Sequence, residues 1–282
     1  GHLTKPLIDV SNTVKQVAEG NFKVNIKRRD TTKCEYEYIN EVDELAKNVN
    51  KMVAELDGMD YMRKDFMSNV SHEIKTPIAA ITGFTEILLD GSIDESERQE
   101  YLEVINKESM RISRLCENML HMSRLDSQVI VSSMQKIRLD EQLRKCIILL
   151  TEKWSNKEID FSIDLEEVSI LSDSDMLQQV WINLIDNAIK YSRENCKIDI
   201  SVKRLNDKSV KVSISDNGIG IEEGKLHRIF DKFYQCEESH KKSGSGLGLS
   251  ISKRIVELLN GTIECKSKKD SGTTFEVTLL QK

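Results

Sequence analysis

Proline is nearly absent from this chain, with 2 residues in 282, and aromatic side chains make up only 5%. So few helix breakers exclude a proline-rich or collagen-like chain and leave room for long helices. A basic excess is missing too. There are 41 Lys and Arg against 47 Asp and Glu, a net charge of −6, which argues against nucleic acid as a partner. The six cysteines (Cys34, Cys116, Cys146, Cys196, Cys236, Cys265) are scattered, the nearest two 29 residues apart. Neither a C-x-x-C metal site nor a compact disulfide framework fits that spacing, and isolated thiols suit a reducing cytosol. Nor do His2, His72, His121, His227 and His240 cluster. No long apolar run exists either. The longest, residues 146–150, falls far short of the ~20 residues a membrane helix needs. The opening Gly1-His2 has the look of a cloning remnant and is set aside.

What is present is a folded composition, 39% hydrophobic and 31% charged, in a chain long enough for two or three modules. Leu7, Val10, Val14 and Val17 form a helical seam that ends at Gly20-Asn21. Phe22, Val24 and Ile26 alternate through an extended connector that turns polar up to about residue 39. A second seam runs through Val42, Leu45, Val49, Met52, Leu56, Met59, Phe66 and Val70. About four heptads of such spacing predict a long helix packed in a coiled coil or bundle. Pro77 lies inside that helix, so a kink or loosening is expected just after His72.

Asp90-Gly91-Ser92 reads as a turn, and Asp94 with Glu97 as a capping box for the next helix. That helix carries Tyr101, Ile105, Ile112, Leu115, Met119 and Met122 at seam spacing. Two long helices joined by a tight turn make an antiparallel hairpin, and two hairpins make a four-helix bundle. After about residue 133 the pattern changes. Strand-like runs lie near 158–164, 167–171, 197–204, 209–215, 262–268 and 273–280, with helices near 140–155, 174–192 and 247–260. This predicts an α+β sandwich with helices on one face of a sheet, separate from the all-α first half.

Four short segments carry chemistry. In Phe66–Pro77, His72 lies about 200° round the helix from the seam residue Val70, so it points outward. Glu73 is adjacent and could fix the imidazole tautomer, and Thr76 follows one turn later. In Gln179–Tyr191, Asn183 and Asn187 are four apart and share a helix face where amide oxygens could hold a hard cation. Lys190 could offset phosphate charge, and Tyr191 could pack on a base. Asp216 ends a strand and could accept from an exocyclic amine, with Gly218 and Gly220 allowing close backbone approach before Ile221. A plain surface turn would use the same residues. Gly244, Gly246, Leu247 and Gly248 open onto a helix N-terminus, a natural anion site, but match neither a P-loop nor a dinucleotide fingerprint.

In this order and spacing, the segments resemble sensor histidine kinases of two-component systems over roughly residues 60–282. The His-Glu-x-x-Thr-Pro run at 72–77 is similar to their phospho-acceptor box. The later boxes are similar to the ATP-binding domain shared with gyrase-type and heat-shock ATPases. The resemblance implies that His72 accepts phosphate, Glu73 assists proton removal, and Thr76 positions a water for dephosphorylation of a partner. It makes Asn187, and less closely Asn183, the Mg2+ ligand, and Asp216 the adenine reader. Gly218, Gly220, Ile221, Gly244, Gly246, Leu247 and Gly248 would cradle ATP beside Lys190 and Tyr191. Phe230 and Phe233 would anchor a lid, and Arg228 would reach a phosphate. Residues 235–246 would form that lid.

Residues 1–59 resemble a HAMP relay module, which implies a transmembrane helix ahead of it in the parent protein. That would place this chain on the cytoplasmic side of a membrane sensor. The expected domains are therefore 1–59 (relay), 60–131 (dimerisation and phosphotransfer hairpin) and 132–282 (ATP binding). Partners implied are a second copy of the chain and the receiver domain of a response regulator. Two other classes use parts of the same pattern. A dimeric coiled-coil scaffold would lack the chemistry at His72, Asn187 and Asp216. A gyrase-type ATPase would have no use for His-Glu-x-x-Thr-Pro on a bundle helix.

Overall fold

The computed structural model describes residues 4–26, 38–91, 93–126, 133–236 and 244–280. The charged end of the expected connector, the turn residue Ser92 and the boundary near 131 lie outside these residues. The chain divides into two compact units, residues 1–72 and 73–282, and the long helix α2 contributes to both.

In the first unit, α1 (Thr4–Ala18) ends at Gly20, whose φ of 89° is open to glycine. The connector follows in extended form with Phe22, Val24 and Ile26 half-buried, as the alternation predicts. Asn50 on α2 (Tyr38–Asp90) pins it, donating to the Ile26 carbonyl at 3.0 Å and accepting from the Ile26 N–H at 2.9 Å. The core consists of Val10, Ala46, Val49 and Val53, with Val17, Val24 and Ile26 against it. Here the seam differs from the expected one. Leu45, Met52 and Met59 are 42%, 42% and 61% exposed, and Leu7 and Val14 also face out. Within one chain, α1 meets α2 through the seam residues Val10 and Val49 together with Ala46 and Val53, while Leu7, Val14, Leu45, Met52 and Met59 of the same seam form an uncovered apolar stripe beside them.

α2 continues as a helix through Pro77, which is buried. A proline removes one ladder hydrogen bond and leaves its neighbours intact. In the second unit, α2 is followed by α3 (Glu95–Asp126). The capping box forms: the Glu97 N–H donates to Asp94 Oδ1 at 2.8 Å, and the Asp94 N–H donates to Glu97 Oε2 at 3.3 Å. Phe84 stacks against Tyr101 with ring centroids 5.1 Å apart, and Glu73 meets Arg111 at 3.1 Å. One number falls as the other rises, so the two helices run antiparallel.

The rest of this unit is the α+β layer pair. β2 (Ile159–Leu165), β4 (Cys196–Asn206), β5 (Ser209–Asp216), β7 (Thr273–Leu280) and β6 (Thr262–Ser267) form one sheet in the order β2-β4-β5-β7-β6. Only the β2–β4 pairing is parallel. A two-stranded sheet of β1 (Met134–Arg138) and β3 (Ser169–Asp173) stands apart. β1 was not foreseen, because a five-residue strand with three exposed positions carries almost no periodicity. Along β4, Cys196, Ile198, Ile200 and Val202 all point to one buried face. Val210, Val212 and Ile214 of β5 and Phe275, Val277 and Leu279 of β7 continue it. Helices α4 (Leu139–Lys153), α5 (Ser174–Tyr191) and α6 (Gly248–Leu258) supply the buried residues opposite.

The pattern of α5 sets up everything that follows. Leu177, Val180, Trp181, Leu184, Ile185, Ala188 and Ile189 are buried at three- and four-residue intervals. Each fully buried aliphatic side chain is worth ~1.5–3 kcal/mol, so the rotation of the helix about its axis is not negotiable. Trp181 locks it further, its indole N–H donating to Gln142 Oε1 at 2.9 Å. Asp173 caps the start by accepting from the N–H groups of Asp175 and Met176.

Replacing the capping residue of α3, Asp94→Ala, is expected to cost about 1 kcal/mol. The measurement is amide hydrogen exchange, which should quicken at Glu97 and Arg98 and stay unchanged in β4 and β5.

Candidate active site

With the apolar stripe of α5 turned to the sheet, the other face presents Asn183, Asn187 and Lys190, all half-buried. They line a cavity of about 400 Å³ within the second unit, in the size range of small-molecule sites. Tyr191, Asp216, Gly220, Ile221, Gly244, Gly246 and Gly248 line it as well, as the sequence led us to expect. Glu73 is also on this wall, together with Arg111 and Asn118 of α3. Asn118 donates to Ser245 Oγ at 3.5 Å, so α3 touches the glycine loop directly.

Asp216 sits at the end of β5. Burial pushes its carboxyl up to about 6, while the N–H groups of Gly218 and Thr273 and the charge of Lys157 pull the other way. The Gly218 N–H lies 2.8 Å from Asp216 Oδ1. Such closeness requires glycine. A Cβ on Gly218 would come within 2.4 Å of the Tyr191 carbonyl oxygen. One on Gly272, whose φ is +89°, would come within 1.9 Å of the Asp216 carbonyl oxygen. Lys157 binds the end of α5 through the carbonyls of Ile189 (2.5 Å) and Ser192 (3.3 Å).

Asn183 differs in role from Asn187. Its Nδ2 donates to the Gly248 carbonyl at 3.2 Å and to Ser252 Oγ at 3.3 Å, tying α5 to the start of α6. In the glycine loop, Gly246 has φ +67° and lies against the backbone of Phe233, whose N–H donates to the Gly246 carbonyl at 3.0 Å. Phe233 itself is held at φ 63°, unusual for an aromatic residue. The α6 N-terminus (Gly248, Leu249) opens on the cavity, and first-turn N–H groups have no intrahelical acceptor.

Several expected residues lie off the cavity wall. Gly218 and Leu247 support it from within, and Phe230 packs edge-on against Phe275 at 6.4 Å. Arg228 does not itself line the cavity; it stands 4.5 Å over the ring of Tyr234, which does, and 3.6 Å from Asp231. Its guanidinium finds a carboxylate and an aromatic face within its own loop. Residues 237–243 of the expected lid lie outside the described residues. His72 and Thr76 are both exposed on α2, one turn apart. Sequence reasoning missed Gly272, Thr273, Lys157 and Arg111. Ser271-Gly272 between two strand-like runs was the available hint for the first pair.

Two family models match this chain. Residues 62–128 match the His Kinase A (phospho-acceptor) domain. Residues 172–282 match the histidine kinase-, DNA gyrase B- and HSP90-like ATPase. Signal transduction histidine-protein kinase ArlS of Staphylococcus aureus (strain USA300) is 31% identical over 278 residues. The chain belongs to the histidine kinases. It spans 60% of the length of ArlS, while 98% of the chain itself is matched. Among solved structures, histidine kinase ThkA in complex with response regulator protein TrrA shares the fold, with a TM-score of 0.64 and 24% identity. The match covers 95% of this chain and 83% of that one. Full-length ShkA in complex with AMPPNP has a TM-score of 0.58 at 23% identity, over 77% of this chain and 46% of its own. The ATPase match begins only at 172, yet β2 and α4 of this kinase chain already belong to the same layers.

The buried Asp216 gives a pH signature. Its folded value near 6 exceeds the usual 3.8, so the folded state holds this proton more tightly. Relative to Asp216→Asn, the native chain should be at its most stable below about pH 4 and lose stability as pH rises through 6. At neutral pH the loss should reach roughly 2–3 kcal/mol. Urea titrations of both proteins across this range are the check.

Proposed function

We propose that this chain is the kinase core of a two-component sensor, which uses ATP to phosphorylate its own His72 and passes the phosphoryl group to an aspartate on a response regulator. The observation that carries this reading is the cavity itself. It gathers Asn187, Lys190, Asp216 and the glycine boxes with Glu73, the residue after His72. Adenine would sit at Asp216, its amine donating to the carboxylate, with Gly220 and Ile221 alongside. The phosphates would extend toward Lys190, Gly244, Gly246 and the first turn of α6. Asn183 supports this end by bracing α6, and Tyr191 flanks it.

Asn187 would carry a Mg2+ ion brought in with the triphosphate, with Asn183 Oδ1 the second candidate. Among the described residues no group of His, Cys, Asp and Glu could hold a metal on its own. A donor set of one or two amides fits an ion that keeps phosphate and water ligands, as Mg2+ does. The ion would offset charge on the phosphates. In the transfer, an imidazole nitrogen of His72 bonds to the γ-phosphorus, the bond to the ADP oxygen breaks, and Glu73 takes the imidazole proton. Thr76, one turn on, is the residue for orienting a water in the reverse, phosphatase direction.

The uncovered stripe of Leu7, Val14, Leu45, Met52 and Met59 supports a homodimer, since a second copy would bury it. The domains follow as 1–59 for a HAMP-like relay, 60–131 for the hairpin and 132–282 for ATP binding. The pairing of β2 with β4 supports a domain start ahead of residue 172. The relay segment motivates placing the parent protein at a membrane. Among the described residues, no helix is long and apolar enough to cross one. A gyrase-type or heat-shock-type ATPase is disfavoured by the phospho-acceptor match over 62–128.

Incubation with Mg2+ and γ-labelled ATP should yield acid-labile label on the chain, absent in His72→Ala. Label that persists in His72→Ala would overturn the assignment of the acceptor. ATP binding without label would move the reading to a phosphatase or a scaffold.

A further inference from the structure

Resting on the kinase reading above, we infer that Arg111 is a positioning residue for Glu73 in the phosphoryl transfer to His72. Arg111 comes from α3, 38 positions along the chain from Glu73, and nothing in its local sequence marks it. Its Nη2 donates to Glu73 Oε2 at 3.1 Å, and its Nη1 lies 3.7 Å from Glu108 Oε2. The three side chains are 31%, 25% and 18% exposed, so the group is partly shielded from water. A fully solvated pair between long side chains would be loose. This one is braced from behind by Glu108, one turn earlier on the same helix.

The arrangement leaves Glu73 with one oxygen held and the other available as an acceptor. A glutamate on a helix surface otherwise samples many rotamers, and catalytic effect falls steeply when a reacting group is misplaced. During transfer the N–P bond at His72 forms, the bond to the ADP oxygen breaks, and the imidazole proton goes to the unheld oxygen of Glu73. Arg111 and Glu73 line the same cavity as Asn187 and Lys190, so the held carboxylate stands where the phosphoryl group is expected.

The guanidinium could instead be a phosphate ligand, and charge decides against that. One positive charge lies between two carboxylates and has no surplus for an anion. Arg111 therefore acts through Glu73.

The test measures autophosphorylation of the full chain with Mg2+-ATP for wild type, Arg111→Ala, Arg111→Lys, Glu73→Gln and the Arg111→Ala/Glu73→Gln double variant. Thermal midpoints are taken alongside. Arg111→Ala should lower the maximal rate about tenfold or more, with the KM for ATP within about twofold of wild type. Arg111→Lys should recover part of the rate, since an ammonium can still bind one oxygen. The double variant should be little worse than Glu73→Gln alone. A wild-type rate in Arg111→Ala, a raised KM at unchanged maximal rate, or full additivity in the double variant would each overturn the role. If Arg111→Ala is unfolded by its thermal midpoint, the rate and KM of Arg111→Lys decide in its place. An absence of label in the wild type would overturn the kinase reading and this role together, whereas a labelled wild type with an insensitive Arg111→Ala sinks this role only.

Discussion

The burial of one stripe of α5 under the five-stranded sheet governs the second unit. Seven apolar residues from Leu177 to Ile189 turn inward, and a helix has no freedom to turn only some of them. Asn183, Asn187 and Lys190 are consequently delivered together to the opposite face, on the cavity wall. The indole of Trp181 and the amide of Gln142 add direction to a force that is otherwise non-directional. Two amides and an ammonium on the cavity wall, one of the amides bracing α6, thus come from one act of packing.

A second constraint is steric. The end of α5 at Tyr191 and the residue before β7 approach the end of β5 so closely around Asp216 that only glycine fits at 218 and 272. This closeness buries the carboxylate and raises its affinity for a proton, a cost in stability at neutral pH that a purely structural residue would not be expected to carry. Asparagine would be cheaper to bury. The retention of a destabilising carboxylate beside a cavity is the behaviour expected of a group kept for binding.

The helical part follows different physics. Its long helices expose a large apolar stripe, and the single chain buries a neighbouring one. Heptad spacing read from the sequence therefore named both buried residues (Val10, Val49) and residues that face outward in one copy (Leu45, Met52, Met59), and missed Ala46 and Val53, which pack α1 against α2. Periodicity reports that a helix has an apolar side; it does not say which neighbour covers which strip of it.

By itself the sequence determined the kinds of element and their order, β1 apart, and many of the residues that line the cavity. Capping boxes, glycine turns and hydrophobic periods are short-range properties, readable within a few residues. Thus the Asp94–Glu97 box, all strands but β1 and the segments that bring Asn187, Asp216 and Gly244–Gly248 to the cavity were legible. Tertiary structure decided which residues join that site from afar. Lys157, Thr273 and Arg111 reach it from distant stretches of chain, and Arg228 turns to its own loop. Their places depend on how helices and strands stack, and stacking is set by the summed burial of whole faces rather than by any local pattern.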